Sequence, residues 1–221
     1  MQNQSKEVIA GQAIYSKLFL SVYDLLILGV SNSLIWKCPS KKILQLFNAH
    51  ASNNHLDVGV GTGYFLDQCN FKKEARIGLM DINPNCITVT ANRIKRYQLE
   101  KYEQNILEPV QSSVRALIKP FDSISLNYLF HCLPGTMTEK AIVFDHVMPL
   151  LNKGGTIFGS TILQGDVERS ATAKKLMKIY NKKGIFCNEH DTLEELDASL
   201  KKRFTSYGIQ VEGCVALFWA K

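Results

Sequence analysis

Three glycines at alternate positions, Gly59, Gly61 and Gly63, follow a short apolar run that ends in Asp57, within the stretch Asn54-His-Leu-Asp-Val-Gly-Val-Gly-Thr-Gly-Tyr64. Few backbone arrangements suit that pattern. Glycine has no Cβ, reaches positive φ and lets the main chain approach a ligand closely. The stretch therefore reads as a buried strand, a tight turn and a helix that begins near Gly63, with its first N–H groups unpaired toward the turn. A second run, Arg76-Ile-Gly-Leu-Met80, ends in Asp81. An acidic side chain at the end of the next strand can accept hydrogen bonds from two ribose hydroxyls. Strand, glycine turn, helix and acidic partner together imply a nucleoside-binding site.

The third glycine separates kinds of nucleoside. The dinucleotide fingerprint G-x-G-x-x-G has its glycines at relative positions 1, 3 and 6. Here they fall at 1, 3 and 5, and Tyr64 takes the sixth place. The form D-x-G-x-G-x-G resembles the first motif of class I methyltransferases, which use S-adenosylmethionine (SAM) and release S-adenosylhomocysteine. Two alternatives stay open: a nucleotide-dependent oxidoreductase, against which Tyr64 argues, and a SAM-binding protein without turnover.

The chain around the motif alternates strands and helices. Strands are expected at 54–58, 76–81, 101–106, 121–127 and 156–161, and helices at 40–49, 63–70, 84–97 and 138–150, with Pro84 well tolerated at a first helical position. Alternation of this kind implies a parallel, doubly wound α/β sheet. Helices at 166–183 and 191–203 precede two strands, 204–210 and 213–220, joined by a tight turn at Glu212-Gly213. That ending is similar to the seven-stranded, mostly parallel, Rossmann-like methyltransferase sheet, whose C-terminal hairpin inserts antiparallel. No repeat, low-complexity segment or linker divides the chain. The expected organisation is one domain over residues 1–221, a helical cap or lid at 1–50 and a SAM-binding core at 51–221.

The resemblance implies roles for particular residues. Asp57, Gly59, Gly61 and Gly63 would contact the methionine half of SAM, Asp81 the ribose and Ile82 the adenine. Asn105 and Ile106 stand where an acidic residue of the family often binds the adenine amino group, and the Asn105 carbonyl could accept from it. Asn127 ends a strand at the side of the sheet where ligands collect, facing SAM or the methyl acceptor. His131 is the candidate general base, since a neutral imidazole can take a proton from an acceptor hydroxyl or amine. A hydrogen bond that shapes the pocket is its plainer role. Tyr128 neighbours it on the same loop, and both are expected to face the acceptor.

Ahead of the first strand, residues 11–36 show helical apolar spacing. The string Tyr23-Asp24…Trp36-Lys37 is loosely similar to the lead-in of quinone-biosynthesis C-methyltransferases of the UbiE type. Tyr15, Tyr23 and Asp24 are thus expected to face the acceptor, with aromatic rings keeping water off the sulfonium. The implied acceptor is a small, fairly apolar metabolite methylated on O, N, S or C, in a setting such as secondary metabolism.

Bulk properties exclude other classes. Net charge is +6, from 26 Lys+Arg against 20 Asp+Glu, scattered in pairs such as Lys72-Lys73 and Lys174-Lys175. No dense basic stripe interleaved with aromatics marks a nucleic-acid groove. The six cysteines form no C-x-x-C pair, so zinc spacing is absent, no metal is expected, and reduced thiols in the cytoplasm are. Residues 18–36 are apolar but interrupted by Asp24, Asn32 and several Ser and Gly, too broken for a membrane span. A monomer or homodimer is expected.

Overall fold

A computed structural model describes residues 31–110, 115–116 and 118–221. Seven strands form one sheet: β1 (Asn54–Val58), β2 (Arg76–Asp81), β3 (Gln98–Glu103), β4 (Phe121–Asn127), β5 (Leu151–Ile162), β6 (Tyr207–Glu212) and β7 (Val215–Ala220), in the order β3-β2-β1-β4-β5-β7-β6. The first five run parallel, and β7 lies antiparallel between β5 and β6. The sheet is therefore mixed and mostly parallel, with the expected antiparallel hairpin at its end.

The helices are α1 (Ser40–His50), α2 (Tyr64–Gln68), α3 (Pro84–Arg93), α4 (Met137–Lys140), α5 (Ile142–Val147), α6 (Ala171–Lys182) and α7 (Leu193–Arg203). Their starts follow local chemistry. Asn83, Thr136, Ser170 and Thr192 each accept a backbone N–H from the first turn of the helix they precede, replacing partners that the first turn lacks. Thr136 and Glu139 complete a reciprocal capping box.

Several boundaries differ from expectation. Strand β3 starts and ends three residues earlier than the apolar pattern suggests. Asn105 stops any extension, because its Oδ1 accepts from the Leu107 N–H and closes a turn. The single helix expected at 138–150 divides at Ala141 and ends in a 3-10 turn at Met148–Leu150 containing Pro149. Strand β5 begins at Leu151, and its register against β4 shifts between Phe121 and Ser123, so the Gly154-Gly155 pair expected to end a helix sits in a strand irregularity. Helix α2 is only five residues long.

One core cluster gathers Trp36, Ile43, Phe47, Leu66, Ile77, Leu79 and Phe158; the other holds Leu56, Met80, Leu126, Phe130, Phe144 and Phe218. Buried strands shielded by helices explain the near-continuous apolar runs of β1 and β2. Helix α1 contributes Phe47, whose ring meets Phe158 edge-on at 5.1 Å. Of the expected cap, 1–30 lie outside the described residues, and the segment 40–50 is a helix that packs into the core. Trp36, read beside the lid aromatics, is 1% exposed and packs on Phe186. No helix among the described residues is long and apolar enough to cross a membrane.

Candidate active site

Strand order reverses between β1 and β4. From β1 the chain builds toward β3, and from β4 it builds toward β5. Loops leaving two adjacent strands in opposite directions open a crevice at their carboxyl ends. A cleft of about 560 Å³, its open mouth included, lies there. Its lining includes Phe47, Asp57, the Gly59–Gly63 loop, Tyr64, Phe65, Asn127 and Tyr128.

Two glycines of the loop have distinct reasons. Gly61 has φ +52, and a Cβ there would meet none of the described residues within 4 Å, which leaves space beside it that a ligand can approach. Gly63 has φ +70, and a Cβ would fall 2.6 Å from Thr90 Cγ2. Helix α3 presses on the loop from behind. Thr90 Oγ1 donates to the Gly61 carbonyl at 3.2 Å and Arg93 Nη1 to the Thr62 carbonyl at 2.8 Å. The loop is held by side chains as well as by the glycines' own conformational freedom.

Two carboxyls flank this loop. Asp57 is 6% exposed and its Oδ1 accepts from Ser125 Oγ. Burial pushes its carboxyl up to about 7, Ser125 pulls it down and the charge of Asp81 raises it further. Asp81 accepts the Asn83 N–H at 2.8 Å. Burial raises its carboxyl to about 6, against the pull of backbone N–H groups of Asn83, Gly61, Val60 and Ile82. Asp57 lines the cleft, whereas Asp81 and Ile82 lie outside its lining, behind the glycine loop whose N–H groups Asp81 meets. A cationic ligand beside Asp57 would relieve its repulsion with Asp81.

Asn127 supplies the complementary group. Its Oδ1 accepts from Ser160 Oγ at 2.9 Å, while its buried Nδ2 has no hydrogen-bond partner among the described residues. An unsatisfied buried donor beside a cleft suits a ligand acceptor such as a carboxylate. Tyr128 follows at φ 53, with its N–H donating to the Ser160 carbonyl at 2.7 Å.

The remaining expected residues are placed less directly. Ile82 is half-buried beside Asp81. Asn105 spends its Oδ1 on Leu107 and donates from Nδ2 to Glu108 at 3.1 Å, and Ile106 is buried with its carbonyl against His146 Nδ1 at 2.8 Å. Neither lines the cleft. His131 also lies outside the lining. It is 3% exposed, packed edge-on to Phe186 at 4.6 Å, and its Nδ1 accepts the Ile162 N–H at 3.4 Å. Burial, and then the nearby Lys140, depress its pKa to about 3. Cys132 has a thiol raised by burial to about 12, which leaves it un-ionised and poorly nucleophilic. Tyr15, Tyr23 and Asp24 lie outside the described residues. No group of three or more His, Cys, Asp or Glu among the described residues is placed to hold a metal.

Sequence reasoning missed Thr90 and Arg93, which stand on an ordinary-looking helix, and Ser125 and His55. The last two had a signal. His55-x-Asp57 and Ser123-x-Ser125-x-Asn127 put polar residues at every second position of strands that are otherwise apolar, which is one face of each strand.

A doubly wound sheet with a glycine-loop cleft at its switch point is the architecture in which nucleotides and nucleosides commonly bind. A family described as a methyltransferase domain matches residues 56–157. Demethylluteothin O-methyltransferase of Streptomyces thioluteus is 37% identical over 216 residues, covering 97% of this chain and 92% of its own. The physcion biosynthesis cluster O-methyltransferase of Aspergillus chevalieri is 36% identical over 95% of this chain and 94% of its own. Among solved structures, a DhpI–SAH complex superposes with a TM-score of 0.65 over 98% of this chain and 97% of that one, at 13% identity, a likeness of fold alone. The chain belongs to the class I SAM-dependent methyltransferase family, and SAM is the cofactor that the family uses.

Proposed function

We propose that the protein methylates an oxygen of a small, largely apolar metabolite, with SAM as methyl donor. The observation that carries this reading is the cleft itself: the Asp57 carboxyl, an open glycine face and one unpaired amide donor in a single crevice, with Asp81 close behind the loop. These features complement a ligand with a cationic amine, a carboxylate and a ribose. Oxygen as the acceptor atom is supported by the relatives, two of which are named O-methyltransferases.

In this reading SAM supplies an electrophilic methyl group on a positively charged sulfonium. Asp57 holds the ammonium, Asn127 Nδ2 the carboxylate and Asp81 the ribose hydroxyls, with Ile82 against the adenine. Binding both ends of the cofactor fixes the direction in which the methyl points, and orientation is a large share of the barrier for an in-line displacement. Tyr128 and Phe47 narrow the cleft and displace water from the charged centre.

His131 we read as a neutral ring that holds the Ile162 N–H and supports Tyr128 from behind, rather than as the base. A group this acidic in its protonated form accepts protons poorly at neutral pH. A phenol or enol acceptor can lose its proton to water after or during transfer. We also read the protein as cytosolic, in keeping with the free thiols of the described cysteines.

The test is calorimetric titration with SAM and with S-adenosylhomocysteine, followed by incubation of hydroxylated aromatic acceptors with methyl-labelled SAM. Failure to bind either nucleoside would end the proposal. Label appearing only on nitrogen or carbon would retain the cofactor and overturn the acceptor.

A further inference from the structure

Polar side chains run through the sheet from its far margin to Asp57. The Ser52 N–H donates to Ser123 Oγ at 2.8 Å. Ser123 Oγ lies 2.8 Å from His55 Nδ1, and His55 Nε2 lies 2.9 Å from Ser125 Oγ. Ser125 Oγ then donates to Asp57 Oδ1. His55, Ser123 and Ser125 are fully buried, and the rings of Phe47, Phe71 and Phe158 surround the imidazole. Polar groups in such a place cost free energy unless each is satisfied. Valine or leucine would fill the same strand positions without that demand.

Proton counting gives the chain a direction. Ser125 has one hydroxyl proton and gives it to Asp57. His55 must therefore offer Nε2–H to the Ser125 oxygen, and its Nδ1 accepts from Ser123. The Ser123 oxygen accepts the Ser52 N–H, and its single proton has two acceptors in reach, Ser52 Oγ at 3.0 Å and His55 Nδ1 at 2.8 Å; the neutral ring leaves Nδ1 bare and directs it there. Each proton points toward Asp57, a polarity that favours negative charge there.

We propose that His55, acting through Ser125, is a positioning residue that keeps Asp57 ionised and oriented for the cationic amine of the nucleoside in the cleft. This rests on the SAM reading above and adds the means by which that reading works at neutral pH. Asp57 needs such help. Burial and Asp81 on β2 push its carboxyl up to about 7, and the Ser125 hydrogen bond is what opposes them. Among the described residues Cys69 after α2 also faces it, with a thiol that burial raises to about 11 and leaves uncharged, and Tyr64 lines the same cleft. His55, depressed by burial to about 3, stays neutral and contributes orientation rather than charge.

The experiment is titration of S-adenosylhomocysteine into the full chain and into Ser125→Ala, from pH 6 to pH 9, with melting curves to establish folding. For the unaltered protein, affinity should rise as pH passes through the neutral range. Ser125→Ala should bind about tenfold more weakly at pH 7, the loss of one hydrogen bond to a charged group, and the gap should narrow toward pH 9. A variant that merely loosens the sheet gives the same ratio at every pH, and that result overturns the proposal, as does unchanged affinity. His55→Gln, which can return a donor near the Nε2 position, should bind more tightly than His55→Leu.

If these variants fail to fold, ring-nitrogen NMR of the unaltered protein decides. A neutral Nε2–H imidazole from pH 5 to pH 9 is expected. An Nδ1–H tautomer, or an imidazolium at neutral pH, overturns the proposal. Absence of nucleoside binding by the unaltered protein at every pH removes the SAM reading and this inference together, whereas binding with a constant ratio removes this inference alone.

Discussion

The Tyr128 hydroxyl donates to Asn32 Oδ1 at 3.0 Å, while the backbone of Tyr128 stands at φ 53. Left-handed backbone is costly for an aromatic residue, roughly 1–2 kcal/mol, so neighbours must hold it. Asn32 is fully buried and donates from Nδ2 to Ser40 Oγ at 2.8 Å. The loop after β4, which walls the cleft, is in this way tied to the segment before α1. Tyr128→Phe leaves a buried amide oxygen short of a partner and should lower stability by about 1–2 kcal/mol, read from urea unfolding with an unchanged slope.

The glycine loop separates binding from stability. Gly61→Ala should cost about 1 kcal/mol of stability for its positive φ and meets none of the described residues, yet it puts a methyl group into the ligand's space. SAM affinity should fall much further than the melting temperature. Gly63→Ala meets Thr90 Cγ2 at 2.6 Å, so overpacking adds about 1–3 kcal/mol. Thr90→Ser in that background removes the colliding methyl and should restore part of the stability. Equal stability losses at the two glycines would contradict the assigned reasons.

Asp81→Asn should weaken SAM and S-adenosylhomocysteine alike, by about 1.5–3 kcal/mol if the carboxylate bonds the ribose, because both carry the same sugar. Calorimetry on the two nucleosides checks it. A loss confined to SAM would place Asp81 near the sulfonium charge instead.

Lys140 and Asp191 form an ion pair at 2.7 Å with neither side chain exposed, and Lys140 Nζ also donates to the Cys187 carbonyl at 2.6 Å. Lys140→Ala strands a buried carboxyl and should cost about 3–5 kcal/mol. Replacing both partners together, Lys140→Met with Asp191→Leu, should cost clearly less. Thermal unfolding of the three variants measures the difference.

The buried His131 makes a pH-dependent contribution with a definite sign. Its ring titrates near 6.5 in the unfolded chain and near 3 in the folded one. Protonation therefore favours the unfolded state, so the neutral ring's stabilisation is complete above about pH 6.5 and is lost as pH falls toward 3. Relative to His131→Leu, the unaltered protein should lose about 1.4 kcal/mol per pH unit below 6.5. Taking the difference between the two proteins cancels the raised carboxyls of Asp57 and Asp81, which act in the opposite direction. Denaturant melts at several pH values supply the measurement.

Local patterns in the sequence carried much of this architecture. Alternating apolar strands and helices, Asp57 with its three glycines, and Asp81 at the next strand end were all readable because each depends on residues close in sequence. Boundaries slipped where side chains made turns of their own, as Asn105 does after β3, or where extra residues were absorbed into a strand, as at Gly154-Gly155. The cleft was readable in its glycine loop and less so elsewhere. Thr90 and Arg93 act across 29 and 31 residues of chain, and Ser125 reaches Asp57 from a strand 68 residues away. No local pattern states such pairings. His131 shows the converse: its residue type and loop suggested a base, and only burial among Phe186, Ile162 and Lys140 shows how far its proton affinity is suppressed.

The strand order has a consequence for how the chain acquires its shape. Strand β5 pairs with β7 from Ile157 against Ala220 to Ile162 against Val215, so its second edge is closed by residues that come more than fifty positions later. Non-local pairings of this kind form late, because loop closure must precede the contacts that reward it. Until then β5 offers an open backbone edge beside Phe158 and Ile162, a template for joining another chain. Slow arrival of the hairpin, through a variant that weakens the turn at Gly213, would therefore show first as aggregation during refolding and only later as lost stability of the finished protein.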